Sequence, residues 1–389
     1  MPRSLTARAL SLILAGALLA VLGTAFKSTN SDKTPSPVIL QVGPDLTANG
    51  INQFNRLSDA LLAVPADSDA ETLITLAAGV YREKLIIDKP HIRIQGQGQD
   101  KTVISFDAYA GQPRPDGSGN WSTWGSATVI VRATDISIEA LHIENSYDYL
   151  ANDALASDNP NKQRGSQAVA LMLDRGSDRF VFKNGRLSGY QDTLFTLAGR
   201  SLFNHALIEG NVDFIFGAGT ALFVDSEIKT LPRAKPVSPI GYITAPSTQI
   251  TQRYGLVFVD SRLTRHSAVA DNVMALGRPW HPTTQFADGR YADPNAIGQA
   301  VFINSWMDAH IMPRPWFPMG GTAPSGERMQ FSPDDARFFE FNSCGPGAGI
   351  ASDNRRQLNA EQAALFTPEL ILGDWQPELR YEPHNLCGS

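Results

Sequence analysis

One apolar marker returns at a near-constant interval in the middle of the chain. Leu187, in "GRLSG", recurs as Ile208 and then as Ile228, at intervals of 21 and 20 residues. Three successive units, "QAVALMLDRGSDRFVFKNGRLSGY", "QDTLFTLAGRSLFNHALIEGNV" and "DFIFGAGTALFVDSEIKT", share one plan. Each has an apolar run, a Gly-containing turn, a second run and a short run with a polar step. A repeat of this length made of short strands marks a solenoid, where each unit buries its apolar face only by stacking on the next. Ile143 lies 44 residues before Leu187, which the period reads as two turns of 22. Leu263 lies 35 beyond Ile228, which reads as one turn with an insertion around 230–252. The runs are rich in Val, Ile, Leu and Phe, and no long helix separates them. The expected fold is all-β, a single-stranded parallel β-helix with one coil per repeat. A β-sandwich also has short strands at regular spacing, but it gives no reason for a register held at 20–22 residues.

The flanks read differently. Phe54, Leu57, Leu61 and Val64 share one helical face, and Pro65 ends the run, which predicts a short N-terminal helix. "NAEQAALFTPELIL" (359–372) predicts a C-terminal helix that packs on the body or caps an end. Arg3 and Arg8, the apolar run Ala9 to Val21 and the small-x-small step Gly23-Thr24-Ala25 form an export signal. The alternative is an uncleaved anchor. The expected organisation is therefore a signal peptide over 1–25, a loosely ordered lead-in over 26–48, and one β-helix domain over 49–389. Removing Arg3 and Arg8 with no acid takes the net charge from −6 to −8, which argues against a nucleic-acid partner. No second stretch reaches membrane-spanning length, so no membrane association is expected once the signal is cleaved. Two cysteines occur, Cys344 and Cys387; in an exported chain they are candidates for a disulfide that ties the tail to the body. Two free thiols are the alternative.

Within the repeats, two aspartates stand out. Asp192 and Asp213 sit beside aromatic and aliphatic residues, where Asp is disfavoured and costly to bury. They are 21 residues apart, one coil, so they should stack on neighbouring turns about 4.8 Å apart. Gln167 and Gln191 open successive repeats and should converge on the same face. Two carboxyls that close cannot both ionise cheaply: one keeps its proton and can donate it, and the other can attack. Two amides suit an oxygen that gains negative charge during a reaction. The competing explanation is a purely architectural polar ladder.

Other motifs carry less. There is no G-x-S-x-G elbow, the seven histidines show no metal-ligand spacing, and neither cysteine has metal-site neighbours. No metal and no organic cofactor is expected. "GQGQ" (96–99) reads as a turn between strands. "LGRPWHP" (276–282) sets Arg278 two residues before Trp280: an arginine suits a carboxylate, and a tryptophan suits the flat face of a sugar. A core Trp in a Pro-rich turn explains the same residues.

Five motifs in this order, "GVYREK" (79–84), "QAVAL" (167–171), "GYQDTLF" (189–195), "DFIFG" (213–217) and "LGRPW" (276–280), resemble those of pectin methylesterases. "DGRYADPNAIGQ" (288–299) is similar to the bacterial secreted branch. The resemblance implies a right-handed parallel β-helix and hydrolysis of the methyl esters of galacturonate units in pectin. It implies Asp213 as nucleophile, Asp192 as acid and then base, Gln191 and Gln167 as oxyanion contacts, and Arg278 as the group that keeps Asp213 ionised. It implies Trp280, Phe195 and Phe216 as cleft walls, and Thr123, Thr283 and Met319 as further substrate contacts. The expected partner is methylated homogalacturonan, met by a monomer in the periplasm or the medium. Phe195 stands where many members carry Tyr. A cysteine pair is expected near the active-site coils of bacterial relatives, where this chain has His205 and Asp225. Competing readings keep the fold and change the chemistry: a β-helix polygalacturonase or pectate lyase, a family member acting on another ester or a thioester, or a pectin-binding protein without activity. A lyase calls for calcium ligands, and no acidic cluster of that type is present in the sequence.

Overall fold

Most short runs that alternate inward and outward residues pair with their counterparts one coil away rather than with their chain neighbours. The computed structural model describes residues 37–66, 70–379, 381 and 386–387, all within the unit Ser36–Ser389. The expected signal peptide lies outside the described residues. Three parallel sheets of eleven, eight and seven strands run the length of this unit. Successive strands visit the first, second and third sheet in turn, as in Phe180–Lys183, Arg186–Ser188 and Leu194–Thr196. The architecture is the expected parallel β-helix. Two antiparallel hairpins are added, Thr283–Phe286 with Gly289–Ala292 and Met319–Thr322 with Arg328–Phe331.

Inward residues form continuous apolar columns. Ile104, Ile143, Leu187, Ile208, Ile228, Leu263 and Met307 lie in register along the second sheet, all fully buried. Phe203, Phe223, Phe258 and Phe302 stack ring on ring at 4.8, 4.4 and 4.5 Å along the first. Such columns bury about 1.5–3 kcal/mol of transfer free energy per large apolar side chain, and they fix the register, because a one-residue slip would turn each of them outward.

Four expectations need correction. Ile143 pairs directly with Leu187, so the 44-residue interval is one coil and not two. The surplus is a long excursion between the second and third sheets that carries the helix Tyr149–Ala154. The first strand, Val38–Val42, is paired on both sides, so the ordered body begins inside the segment read as a loose lead-in. The N-terminal helix is only Leu57–Ala63; Phe54 belongs to a two-residue strand, though Leu57, Leu61 and Val64 are buried together as expected. The C-terminal segment forms two helices, Ala360–Ala363 and Pro368–Leu372, rather than one. Pro368 lacks an N–H and disfavours a helical residue before it, so Thr367 becomes the cap of a new helix. Cys344 and Cys387 are disulfide-bonded, with Cα atoms 5.3 Å apart.

Candidate active site

The outer face of the third sheet carries a column of its own: Ile130, Met172, Phe195, Phe216 and Ala245, each in register with the next. Asp192 and Asp213 lie just ahead of this column, where the chain passes from the second sheet to the third. Gln191 bridges Val212 and Leu194 pairs with Ile215, so Asp192 sits one coil above Asp213. Both have left-handed backbones, with φ of 67° and 50°, a conformation that Asp tolerates better than most residues. The local register shift after Val212 lets Phe214 and Ile215 both join the core while Asp213 faces outward into a cavity. That cavity is about 250 Å³, and it is lined by Thr123, Trp124, Gln167, Gln191, Asp192, Asp213, Phe216, Ala245, Arg278, Trp280 and Met319.

Arg278 grips one carboxylate and not the other. Its Nε donates to Asp213 Oδ1 at 2.8 Å and its Nη2 to Oδ2 at 2.5 Å, the fork geometry in which an arginine holds a carboxylate most firmly. The guanidinium also lies 3.9 Å from the centre of the Tyr242 ring. Its coil packs closely: a Cβ on Gly277 would fall 2.2 Å from Thr244 Oγ1, and Arg278 N donates to the Thr244 carbonyl at 3.1 Å. Both aspartates are only 7 % exposed. Burial pushes the Asp192 carboxyl well above the usual carboxylate range, and the charge of Asp213 pushes it further. Burial raises Asp213 too, but the hydrogen bonds and charge of Arg278 oppose the rise. A shared proton therefore rests on Asp192, and Asp213 carries the negative charge. Gln167 and Gln191 are held by backbone bonds, the Gln167 carbonyl accepting from Ala110 N and the Gln191 carbonyl from Ala168 N. Their side-chain amides face the cavity without a protein partner among the described residues. The arrangement places two buried carboxyls, one of them gripped by an arginine, and two amide side chains around one small space. Among the described residues no cluster of His, Cys, Asp or Glu is placed to hold a metal ion.

A family model described as Pectinesterase matches residues 45–374. Pectinesterase A of Dickeya chrysanthemi is 46 % identical over 329 residues, covering 84 % of this chain and 88 % of that protein. The chain belongs to the pectinesterase family. It is thus a carboxylic ester hydrolase that acts on the methyl esters of pectin. The crystal structure of the pectin methylesterase of Erwinia chrysanthemi superposes with a TM-score of 0.83 at 43 % identity, covering 89 % of this chain and all of that one. The enzyme of Yersinia enterocolitica gives 0.79 at 47 % identity, covering 83 % and 99 %. The carrot enzyme gives 0.68 at 25 %, covering 86 % and 93 %.

Among the residues singled out in the sequence, the pectinesterase fold brings Asp192, Asp213, Gln167, Gln191, Arg278, Trp280, Phe216, Thr123 and Met319 to one cavity. Two others lie elsewhere. Phe195 is fully buried, stacked on Phe216 at 4.2 Å and roofed by Trp124 and Trp280; it is the floor beneath the cavity and not a wall. Thr283 is exposed on a hairpin, paired with Ala292, because the chain turns outward after Pro282. Where a cysteine pair was expected in bacterial relatives, His205 Nε2 and Asp225 Oδ2 meet at 2.8 Å across adjacent coils. Sequence reasoning missed Tyr242 and Trp124. Tyr242 pairs with Val212 one coil on, but the inserted loop between Thr230 and Gly241 hides that spacing. Trp124 sits on a five-residue helix, Ser122–Ser126, outside any repeat.

Proposed function

We propose that Asp213 attacks the carbonyl carbon of a galacturonate methyl ester. A bond forms between an Asp213 carboxylate oxygen and that carbon, and the carbonyl π electrons move onto oxygen. The amides of Gln191 and Gln167 donate to this oxyanion. As the oxyanion collapses, the bond to methoxide breaks, and Asp192 gives its proton to the departing oxygen, releasing methanol. Asp192, now ionised, takes a proton from water, and the hydroxide attacks the acyl carbon. Collapse returns Asp213 as carboxylate and leaves a galacturonic acid unit, which loses its proton to solvent; the proton on Asp192 restores the starting state. The observation that supports this division of labour is the placement of two buried carboxyls on adjacent coils, with Arg278 gripping Asp213 alone.

The substrate fits methylated homogalacturonan, a chain of esterified uronate units; a related pectin methylesterase has been crystallised with a hexasaccharide. We take the working form to be an exported monomer, acting in the periplasm or medium, on the strength of the N-terminal signal pattern. No described helix is long and apolar enough to cross a membrane. Assaying highly methylated pectin for methanol, for new reducing ends and for an absorbing unsaturated product tests the chemistry. Methanol alone is expected. Chain shortening or an unsaturated product without methanol refutes it.

A further inference from the structure

The cavity holds two tryptophans, and the family motifs account for one. Phe195 and Phe216 form a stacked floor at 4.2 Å. Trp280 stands edge-on to both, at 6.0 and 5.6 Å. Trp124 stands edge-on to Phe195 at 5.3 Å, with the ring planes at 75°. The two approach from opposite ends of the β-helix. Trp124 precedes the strand Val129–Val131, two coils before Phe195 in the third sheet, and Trp280 follows Met274–Gly277, three coils after it.

Trp124 is 41 % exposed although it lines a cavity. An exposed tryptophan on a rigid wall inside a carbohydrate cleft has surface to give to a ligand. The wall is held from three sides. Ser126 Oγ donates to the Thr123 carbonyl at 2.8 Å, the Ser126 carbonyl accepts from Asn145 Nδ2 at 3.2 Å, and the Ala127 carbonyl accepts from the Lys84 ammonium.

We propose that Trp124 forms an aromatic subsite for the unit next to the reacting one and selects a methyl ester there over a free carboxylate. The inference rests on an esterified uronate chain being the substrate. An indole face carries negative potential. It attracts C–H groups of a sugar and an ester methyl, and it repels a carboxylate that must also shed water. Arg278 is the one cation among the described lining residues, and Asp213 occupies its fork. Lys84 directs its ammonium to the Ala127 carbonyl and the Trp121 ring. Arg114, outside the cavity lining, packs over the Trp121 ring at 5.2 Å, so among the residues that line the cavity no cation is left free for a neighbouring carboxylate.

The test compares kcat/KM for methanol release from two hexagalacturonates, one fully methylated and one with a single ester flanked by free acids. The wild type should favour the first. Trp124→Ala should compress that ratio by about tenfold, Trp124→Phe should keep most of it, and Trp124→Arg should invert it. A wild type without preference overturns the proposal. So does a Trp124→Ala enzyme that loses equally on both substrates, since a wall that merely supports Thr123 would act that way. A wild type that releases methanol from neither would remove the underlying reading of the reaction instead.

Discussion

Replacing Arg278 by alanine removes both hydrogen bonds that Asp213 receives from a cation, at 2.8 and 2.5 Å. Two unit charges at about 4 Å, in a partly screened site with an effective dielectric near 20, interact by about 4 kcal/mol. That corresponds to an upper limit of about three pKa units; a carboxyl beside an arginine is usually lowered by about 1 to 3. Without Arg278, burial and the neighbouring carboxyl are left unopposed, and Asp213 holds its proton to a higher pH. The ionised fraction on the acid side should then fall by about 10- to 1000-fold. The assay is the initial rate of methanol release from methylated pectin as a function of pH. The acid limb of kcat/KM should move upward in the variant, with part of the lost activity returning as pH rises. Breaking a buried pair also costs about 3–5 kcal/mol of stability, so the profile needs Arg278→Lys beside it. Lysine restores the charge without the fork and should lie between the two. A loss that is equal at every pH, or an acid limb that stays in place, would refute the view that Arg278 sets the charge of Asp213.

Three further outcomes are expected. His142 and His310 are buried, and burial, the larger cause for each, brings both imidazoles down to about 4. Both stay neutral in the fold, while the unfolded chain takes up protons below about pH 6.5. Stability is thus full above that pH and is lost as pH falls toward 4, by roughly 3 kcal/mol per residue; a denaturation series against pH should be flatter in His310→Gln, and an unchanged slope would contradict this. The Cys344–Cys387 bond closes a separation of 43 residues, worth about 4 kcal/mol in loop-entropy terms; reduction should lower the melting temperature, and no change would show that the tail adds nothing. Thr283→Ala should leave kcat/KM for methanol release within about twofold, because the residue stands outside the cavity; a larger loss would return it to the substrate path.

Regular spacing carried most of what the sequence revealed. Asp192, Asp213 and the Leu187, Ile208 and Ile228 column lie in coils of 20 to 21 residues, and there period and register coincide. Arithmetic failed where a coil holds an excursion. The 44 residues from Ile143 to Leu187 contain a helix and a long loop within one turn, and the period has no means of telling one swollen coil from two plain ones. Tyr242 was lost for the same reason. Trp124 and Thr283 show the other limit: both lie outside the three stacked parallel sheets, so their positions follow from how a short helix and a hairpin pack, which no periodicity encodes. Phe195 was placed on the correct face, but burial beneath two tryptophans depends on residues about 70 and 85 positions away.

The division of labour between the two carboxyls is tested most directly by methanol release from highly methylated pectin with Asp213→Asn, its far-UV spectrum matched to that of the wild type. An amide in that place cannot form the acyl bond, so release should fall to the uncatalysed background. Methanol release within about tenfold of the wild type would contradict Asp213 as the attacking group.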